Sequence, residues 1–508
     1  MRDPVDWPTR DPLAHRRTAT PSRTALVDAD RGREWTYRSL DGLVDATAAR
    51  LADALGDRES PRVGTLVSTQ PGFVRAFYAG LRLGGTVVPL NTRLAEPELR
   101  DRTGRVRPDL LVCGRETEQT ALSVADCPVV SLDVPDSGSV AALPDADASA
   151  GGSGTDGESA VEPARWDSDG TAVVVFTSGT TGDPKGTRLT LGNLVASATA
   201  SAFRLGVASG NRWLCCLPVY HMGGLAPVVR CPLYGTTLLV QREFDADTTA
   251  GALGDREATG VSLVPTQLRR LLDSGWRPPE TLETVLLGGA PASRDLIQRA
   301  LAAGVPVHPT YGLTEAASQV ATATPDGMAA RPESVGQPLV FTEVTVVDAD
   351  GRPVDGDATG ELVVDGPTVT PGYLDDEATR EAFGEHGLHT RDVGYRDADG
   401  RLWVLGRADD TILTGGENVH PREVTDVLEG YPGLADAAVV GLDDEEWGQR
   451  VGALVVATDD SVTAEDVRAF VRERLADYKV PKTVGFASEL PRTASGTIDR
   501  GAVRGRLE

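Results

Sequence analysis

The sequence predicts an α/β protein with a large N-terminal domain and a smaller α+β domain at its C-terminal end. Strand-like and helical segments alternate over the first 130 residues, a pattern typical of parallel βαβ units. A hairpin pattern ends at residue 407, and about 100 residues with helical patterns of their own follow. Because a chain of 508 residues is longer than the chains that usually fold around one hydrophobic core, two or more domains are expected. We predict domains at 1–407 and 408–508.

The first elements follow from the spacing of apolar residues. Between Tyr37 and Ala54 apolar residues recur at helical intervals, which predicts an amphipathic helix. The string VGTLVS predicts a short buried strand, FVRAFYAGLRLG a helix that ends in glycine, and TVVPL the next strand. Strand, helix and strand in this order predict a parallel sheet with helices packed against it.

Later segments show how the rest of the chain is organised. Residues 133–170 are rich in Asp, Ser, Gly and Ala, which predicts a flexible acidic loop. The string YRDADGRLWVLGR predicts a β-hairpin with Asp-Ala-Asp-Gly as its turn. In the C-terminal part, Pro421 predicts the start of one helix, and Thr463 with Asp466 predicts the capped start of another.

The charge of the chain excludes two classes of partner. Asp and Glu total 75 and Lys and Arg total 50, which gives a formal net charge of −25. Such a surface repels nucleic acid and anionic membranes, so we expect neither as a partner. Only three of the cations are lysine: Lys185, Lys479 and Lys482. An acidic, lysine-poor composition resembles proteins of salt-accumulating halophilic archaea, and an arginine-biased genome with an acidic surface is the alternative.

The sequence predicts a cytoplasmic protein without membrane insertion. Its apolar runs are all shorter than the roughly 18 residues that span a bilayer, and its N-terminus has no apolar signal-peptide core. The five cysteines are odd in number and have no CxxC spacing, so we expect buried thiols rather than a disulfide framework or a zinc site. The sequence leaves a homo-oligomer open.

One loop carries the strongest chemical signal. The string VVVFTSGTTGDPKGTRLT, residues 173–190, runs from a β-branched strand into Ser, Thr and Gly residues and one lysine, Lys185. Small residues let backbone N–H groups approach phosphate oxygens, and hydroxyls and the lysine add donors and charge. The GxxxxGK[ST] spacing of a Walker A loop is missing, and Pro184 directly precedes the lysine. We interpret this segment as a phosphate-binding loop of another kind.

Five further motifs follow in order: LPVYHMGG, LLGGAPAS, YGLTEAASQ, HTRDVGY and GRADDTILTGGENVHPREV. Each residue in them, taken alone, is more often structural. Together with the loop they match, in order and spacing, the adenylate-forming superfamily of acyl-CoA synthetases, peptide-synthetase adenylation domains and luciferase. This resemblance implies a large N-terminal domain of α/β subdomains with a small β-barrel, followed by a mobile α+β lid.

The resemblance also implies a role for each motif. Thr314 should contact the α-phosphate of ATP, and Glu315 should hold Mg²⁺, which prefers oxygen ligands. Asp392 should accept the ribose hydroxyls, and Arg407 should contact the nucleotide. The other residues implied to contact ATP or CoA are Thr177, Ser178, Gly179, Thr180, Thr181, Gly182, Lys185, Gly288, Gly289, Ala290, Tyr311, Gly312, Gly415 and Gly416. Those implied to be catalytic are Lys185, His221, Thr314, Glu315, Arg407 and Thr497.

The last of these departs from the family pattern. The family's PRTxSGK motif reads PRTASGT here, so Thr497 stands where a lysine reaches the α-phosphate and the substrate carboxylate. Threonine brings no charge to stabilise a pentavalent phosphate. Three interpretations stay open. Another cation (Arg492, Arg500, Lys479 or Lys482) replaces the lysine; adenylation is slow while thioester formation persists; or the protein is a weakly catalytic nucleotide binder.

Within the superfamily the sequence most resembles the o-succinylbenzoate–CoA ligases of menaquinone biosynthesis. Ser318 and Gln319 match the Ser–Gln pair of that ligase type, and Arg230 follows His221 by nine residues, as it does there. His221 matches the acyl-pocket position. The aromatic carboxylate of o-succinylbenzoate requires a cation or hydrogen-bond donors when it is buried. Arg230, Ser318 and Gln319 are therefore candidate partners, unless Arg230 only caps or pairs at a helix end. Another aryl- or medium-chain acyl-CoA synthetase is the alternative activity.

The resemblance implies an acid–thiol ligase that works in two steps. The carboxylate attacks the α-phosphate of ATP, and acyl-adenylate and diphosphate form. The lid then turns about Asp409 and brings Gly415 and Gly416 to the site, where the thiol of CoA attacks the adenylate and AMP leaves. The expected partners are a small carboxylic acid, ATP with Mg²⁺, and coenzyme A.

Overall fold

In a computed structural model of this chain, the structure describes residues 10–143, 161–177, 184–331, 333–414, 417–444, 447–459, 461–493 and 498–508. The helices are α1 Pro12–Ala19, α2 Tyr37–Leu55, α3 Pro71–Arg82, α4 Glu96–Val106, α5 Glu118–Val124, α6 Leu191–Leu205, α7 Met222–Tyr234, α8 Ala246–Asp255, α9 Pro265–Asp273, α10 Arg294–Ala302, α11 Pro325–Ala330, α12 Asp376–Ala382, α13 Pro421–Glu429, α14 Ala464–Arg472 and α15 Arg500–Leu507. The strands are β1 Thr24–Asp28, β2 Glu34–Thr36, β3 Arg62–Leu66, β4 Thr86–Pro89, β5 Leu110–Cys113, β6 Val129–Ser131, β7 Ala141–Ala142, β8 Thr171–Thr177, β9 Lys185–Thr190, β10 Arg212–Cys215, β11 Thr237–Val240, β12 Gly260–Leu263, β13 Thr284–Leu287, β14 Val307–Leu313, β15 Ser318–Thr322, β16 Gln337–Pro338, β17 Glu343–Val347, β18 Gly360–Asp365, β19 Gly372–Tyr373, β20 Phe383–Gly384, β21 Gly387–Arg396, β22 Leu402–Arg407, β23 Ile412–Thr414, β24 Glu417–Val419, β25 Leu434–Asp444, β26 Gly448–Ala457 and β27 Thr483–Phe486.

Two large, mostly parallel sheets make up the N-terminal part. One has the strand order β16-β15-β14-β13-β12-β10-β11-β1-β2, and the other β19-β9-β8-β4-β3-β5-β6-β7. In the second sheet β3 pairs in parallel with both β4 and β5, and helices connect these strands, so the predicted βαβ units are confirmed. The helix predicted from Tyr37 is α2, and its apolar residues are buried.

The two sheets share one core because helices from each pack together. Tyr37 on α2 donates a hydrogen bond to the carbonyl of Thr236, at 2.6 Å. Tyr78 on α3 donates to the carbonyl of Val228 on α7, at 2.8 Å. These bonds satisfy two buried phenols, which would otherwise lose the hydrogen bonds that they make to water. The largest hydrophobic cluster accordingly spans α2, α3 and α7.

A buried ionic cluster, made of Arg82, Asp11, Asp41 and Asp45, lies where α1, α2 and α3 meet. The side chain of Arg82 is 1% exposed, and its Nη2 lies 2.6 Å from Asp41 Oδ1 and 3.3 Å from Asp11 Oδ1. Burial raises the pKa of Asp41, although Arg82 opposes this. Burial would lower the pKa of Arg82, but the neighbouring carboxylates outweigh it and raise that pKa. The cluster therefore links α2 and α3 with the residue that caps α1 through buried ion pairs.

A third, antiparallel sheet follows, in which β17, β18, β21 and β20 are neighbours and β22 pairs with β21. The predicted hairpin is β21–β22, where Tyr395 lies opposite Trp403 and the two rings stack with centroids 5.6 Å apart. Among the described residues these five strands pair as an open sheet. Closure of this sheet into the expected small barrel stays a prediction.

The C-terminal part has its own five-stranded sheet, of β24, β23, β26, β25 and β27. The helix predicted at Pro421 is α13. The capping box predicted for α14 is confirmed, because Asp466 N donates to Thr463 Oγ1 and Thr463 N donates to Asp466 Oδ2. Arg422 Nη2 donates to the carbonyl of Ala292 at 2.6 Å, so this part touches the N-terminal part. The boundary near residue 407 stays a prediction.

The acidic segment 133–170 differs in part from its predicted loop. Ala141–Ala142 forms β7, which pairs with β6. The backbone N–H groups of Asp136 and Ser137 donate to the buried carboxylate of Glu118, which anchors the start of the segment. Residues 144–160 lie outside the described residues.

The prediction of buried thiols is confirmed for Cys113, Cys215, Cys216 and Cys231, while Cys127 is half-buried. Burial raises the pKa of Cys113 and Cys127 to about 11, and that of Cys216 and Cys231 to about 12, so these thiols stay protonated at neutral pH. None of the helices in the described ranges combines the length and apolarity of a membrane span.

Candidate active site

Antiparallel strands β8 and β9 hold the ends of the phosphate-loop segment. Thr177 at the end of β8 lies opposite Lys185 at the start of β9, and its Oγ1 donates to the Lys185 carbonyl at 3.4 Å. β9 also pairs with β19, so Lys185 starts a strand with a neighbour on each side. The predicted loop residues Ser178, Gly179, Thr180, Thr181 and Gly182 lie outside the described residues.

A tight turn between β14 and β15 carries Thr314 and Glu315. The 3-10 turn Thr314–Ala316 joins the two strands. Gly312 precedes it, and a Cβ there would lie 1.8 Å from the carbonyl oxygen of Ser318, so a glycine is required for the strands to approach this closely. Burial raises the pKa of Glu315. Since Mg²⁺ binds through one or two carboxylates plus substrate phosphates and waters, a single buried carboxylate at this place suits it.

Tyr373 on β19 lies between the lysine and the glutamate. Its hydroxyl donates to Glu315 Oε1 at 3.1 Å, and the ammonium nitrogen of Lys185 lies 5.1 Å from its ring centroid. This tyrosine is in none of the six motifs; it lies in the string GELVVDGPTVTPGYL, residues 360–374, between YGLTEAASQ and HTRDVGY. Glycine followed by tyrosine at that place is the signal that could have found it.

Asp392, Arg407 and Tyr311 form a second cluster on the third sheet and the end of the first. Asp392 and Arg407 are register partners in the β21–β22 hairpin, and Arg407 Nη1 lies 3.5 Å from Asp392 Oδ1. Tyr311 on β14 donates a 2.6 Å hydrogen bond to Asp392 Oδ2. Burial raises the pKa of Asp392, while Tyr311 and Arg407 oppose this and favour the charged form. Arg407 also lowers the pKa of Glu315 through its charge, so the two clusters are neighbours.

The glycine turn predicted to lie along the adenine follows β13. Gly289 has φ +77°, and a Cβ on Gly288 would lie 2.6 Å from the Thr310 methyl, so both positions favour glycine. Ala290 completes the turn at the carboxyl end of the strand. In open α/β sheets ligands bind outside the carboxyl ends of the strands, which is where this turn lies.

His221 is the N-cap residue of α7, after the carboxyl end of β10. Its ring packs edge-on against Tyr220 with centroids 4.9 Å apart. Burial, together with the nearby charge of Arg93, lowers the pKa of His221, so the imidazole is neutral at pH 7. Its Nε2 is buried without a hydrogen-bond partner among the described residues.

Arg230 lies in the middle of α7 rather than at its end. Its guanidinium is buried, and Nη2 has no hydrogen-bond partner within the described part of the chain. It lines a cavity of about 40 Å³ with Trp213, Thr259 and Glu283, which lie near the amino ends of β10, β12 and β13. This cavity therefore lies at the amino ends of the strands, whereas the glycine turn lies at their carboxyl ends.

The Ser–Gln pair lies elsewhere. Ser318 and Gln319 begin β15. The described residues that line the Arg230 cavity do not include either of them. Gln319 is buried, and its Nε2 donates to Thr322 Oγ1 at 2.7 Å. Its Oε1 is buried without a partner in the ranges described. The three candidate acid contacts are thus not brought to one cavity.

The C-terminal candidates are only partly described. Gly415, Gly416 and Thr497 lie outside the described residues, and Asp409 is described only through its backbone, in the 3-10 turn Ala408–Asp410. The four cations considered as replacements for the missing lysine are engaged within the C-terminal part. Their partners are Asp436 for Arg492, Asp410 for Arg500, Glu423 for Lys479, and the ring of Trp447 for Lys482.

The chain resembles known proteins over nearly its whole length. The AMP-binding enzyme family matches residues 13–374, and the AMP-binding enzyme C-terminal domain matches residues 423–497. A 2-succinylbenzoate–CoA ligase of Bacillus mycoides is 36% identical over 499 residues, 98% of either chain. The o-succinylbenzoate CoA synthetase of Bacillus subtilis, solved with the acyl-adenylate intermediate OSB-AMP, is 31% identical with a TM-score of 0.87, over 97% of this chain and 98% of that one. The same enzyme solved with ATP and magnesium ion is 31% identical with a TM-score of 0.86, over 98% and 99%. The chain therefore belongs to the AMP-binding enzyme family and has the adenylate-forming fold.

Proposed function

We propose that this enzyme activates o-succinylbenzoate with ATP and transfers the acyl group to coenzyme A in menaquinone biosynthesis. The full-length similarity to 2-succinylbenzoate–CoA ligases supports the reaction. One observation of the structure supports the choice of acid. Arg230 lies on the helix that begins after His221, and its Nη2 is buried without a hydrogen-bond partner in the described residues. For its aromatic carboxylate to meet Arg230, the acid must extend from the glycine turn toward the amino ends of β10, β12 and β13, where the Arg230 cavity lies. A buried, unpaired cation is unfavourable, and a second carboxylate on the substrate would compensate it.

The described residues divide the work of adenylation. Lys185 brings positive charge to the phosphates, and Asp392, held by Tyr311, accepts the ribose hydroxyls. Arg407, paired with Asp392, contacts the nucleotide beside them. Glu315 is the carboxylate that would hold Mg²⁺, which when bound neutralises charge on the phosphates of ATP. In a nucleotidyl transfer of this kind, charge stabilisation and positioning of the phosphates are the main contributions of the protein.

Cell location and salt response are part of the proposal. We place the enzyme in the cytoplasm, and we assign it to a halophilic cell because its net charge is −25 and only three of its cations are lysine. The composition is the support for high salt, so assays are best made in concentrated potassium chloride and repeated at low salt.

The first test is CoA-dependent AMP formation from MgATP with a panel of acids. We expect turnover of o-succinylbenzoate and little or none of benzoate or a medium-chain fatty acid, because only the first carries a second carboxylate for Arg230. AMP release should require both the acid and CoA. Preference for another acid would keep the ligase and reject o-succinylbenzoate.

Thr497→Lys in the same assay tests what replaces the missing lysine. If another cation already stabilises the α-phosphate, the substitution changes kcat little. A large gain would mean that wild-type adenylation is slow. If the wild type shows no AMP release at all and Thr497→Lys restores it, the wild-type protein is a nucleotide binder and the proposed activity is rejected.

Arg230→Met tests the proposed partner of the aromatic carboxylate. We expect kcat/KM for o-succinylbenzoate to fall by about 10- to 100-fold, since a hydrogen bond to a charged group contributes about 1.5–3 kcal/mol. The slower turnover of an acid with a single carboxylate should change far less. Arg204→Met is the matched control, because Arg204 is a half-buried arginine on α6 that donates to the carbonyl of Pro338. Equal losses for both acids would show that Arg230 only supports the fold.

A further inference from the structure

Two oppositely charged groups of the site approach the same aromatic ring from different sides. The ammonium nitrogen of Lys185 lies 5.1 Å from the ring centroid of Tyr373, and Glu315 Oε1 accepts a 3.1 Å hydrogen bond from its hydroxyl. We propose that Tyr373 is a positioning residue that keeps Lys185 and Glu315 apart, so that one remains available to phosphate and the other to Mg²⁺. The inference rests on the proposed use of ATP by this site.

The backbone fixes the ring on the strand that carries Lys185. Tyr373 lies opposite Thr187 in the β19–β9 pair. Its N–H donates to Thr379 Oγ1 at 2.9 Å. Gly372 before it has φ +135°, and a Cβ there would lie 2.3 Å from the Thr379 methyl, so the approach to α12 is fixed by a glycine. The position of Tyr373 is therefore set relative to β9.

The same segment is also fixed to the turn that carries Glu315. Thr370 N donates to the carbonyl of Glu315 at 2.7 Å, and Thr370 Oγ1 donates to the carbonyl of Gly372 at 2.8 Å. The four residues from Thr370 to Tyr373 thus contact the backbone of Glu315 and, through Thr187 and Arg188, the strand that begins at Lys185. A short rigid segment with such contacts is suited to hold two charges at a set separation.

The physical need for a spacer comes from burial. Glu315 lies where burial raises its pKa, so its charge interacts strongly with a nearby cation. A lysine with four rotatable bonds, released from the ring face, would pair directly with the carboxylate. Such a pair would compete with phosphate for the lysine and with Mg²⁺ for the glutamate. The ring offers Lys185 a cation–π contact, and the hydroxyl offers Glu315 a donor, so both charges are stabilised without meeting.

Two substitutions separate the two contacts. Tyr373→Phe removes the hydroxyl and keeps the ring, so the position of Glu315 should be disturbed more than that of Lys185. Tyr373→Leu removes both. Tyr395→Phe is the matched control, because Tyr395 stacks on Trp403 on the neighbouring hairpin.

The measurement is calorimetric titration of ATP into the full chain over a range of Mg²⁺ concentrations, with neither acid nor CoA present. For Tyr373→Phe we expect the Mg²⁺ concentration that gives half-maximal enhancement of ATP binding to rise about 10-fold, with metal-free ATP binding unchanged. For Tyr373→Leu we expect metal-free binding to weaken as well, by about 2- to 5-fold. Tyr395→Phe should match the wild type.

A Mg²⁺ dependence of Tyr373→Phe equal to that of the wild type would overturn the inference, as would equal weakening of ATP with and without metal. Because neither acid nor CoA is used, rejection of o-succinylbenzoate as substrate leaves this test intact. If the wild type binds no ATP, the proposed function itself is rejected. That result differs from the one that rejects the role of Tyr373, in which the wild type binds ATP and Tyr373→Phe has the same Mg²⁺ dependence.

Discussion

Glu315→Gln is expected to lower kcat for acyl-adenylate formation by about 100- to 1000-fold, the range seen when one group that stabilises transition-state charge is removed. Glutamine preserves the size of the side chain and an oxygen that can accept the bond from Tyr373. It removes the negative charge that would hold Mg²⁺ beside the phosphates. The measurement is ATP–diphosphate exchange that depends on the acid, at saturating ATP.

The control for this prediction is Glu118→Gln. Glu118 on α5 is also buried, but its carboxylate accepts hydrogen bonds from the backbone N–H groups of Asp136 and Ser137. These two residues lie between β6 and β7, at the opposite end of the second sheet from β9 and β19. We expect kcat of this variant to stay within about 2-fold of wild type, since a residue outside the site does not touch the transition state. Wild-type exchange rates in Glu315→Gln at all Mg²⁺ concentrations would remove Glu315 from the proposed site.

Arg82→Ala is expected to lower the free energy of unfolding by about 3–5 kcal/mol, because removing one partner of a buried ionic cluster leaves uncompensated charge. Asp11 and Asp41 are both buried and would lose the guanidinium that lies between them. The measurement is urea unfolding followed by tryptophan fluorescence. Arg100→Ala is the control, since Arg100 pairs with Glu96 at the surface and such pairs contribute about 0–1 kcal/mol.

The loss in Arg82→Ala should depend on pH with a definite sign. Burial raises the pKa of Asp41 in the folded state, and removing Arg82 raises it further. A carboxyl group whose pKa is higher in the folded state binds more protons there, so stability falls as the pH rises through that window. The deficit of Arg82→Ala should therefore shrink as the pH is lowered toward the ordinary pKa of an aspartate. A loss below about 1 kcal/mol at pH 7 would show that the cluster adds little.

Features coded by neighbouring residues were predictable from the sequence. The helix α2 follows from the spacing of its apolar residues, and the start of α14 follows from Thr463 and Asp466, three positions apart. Strand order and the short strand β7 were not predicted, because pairing joins segments far apart in the chain. The ionic cluster is another such case: Asp11, Asp41 and Arg82 have no sequence spacing that would show them together.

In the candidate site, too, some residues were predictable from the sequence and one was not. The motif resemblance named Lys185, Glu315, Asp392 and Arg407, and the structure brings these four into two neighbouring clusters. Their roles stay predictions. Tyr373 escaped notice because its importance comes from two contacts, one to a residue 58 positions earlier and one to a residue 188 positions earlier. No local pattern encodes such a relation.

The pairing of β1 with β11 has a consequence for how the protein is made. Thr24–Asp28 is among the first segments to leave the ribosome, yet its parallel partner Thr237–Val240 follows more than 200 residues later. At about 5–20 residues per second, the nascent chain keeps one edge of β1 open for on the order of 10–40 s. An apolar strand with an open edge is a place for wrong pairing between chains. Assistance from chaperones during synthesis should therefore raise the yield of this enzyme.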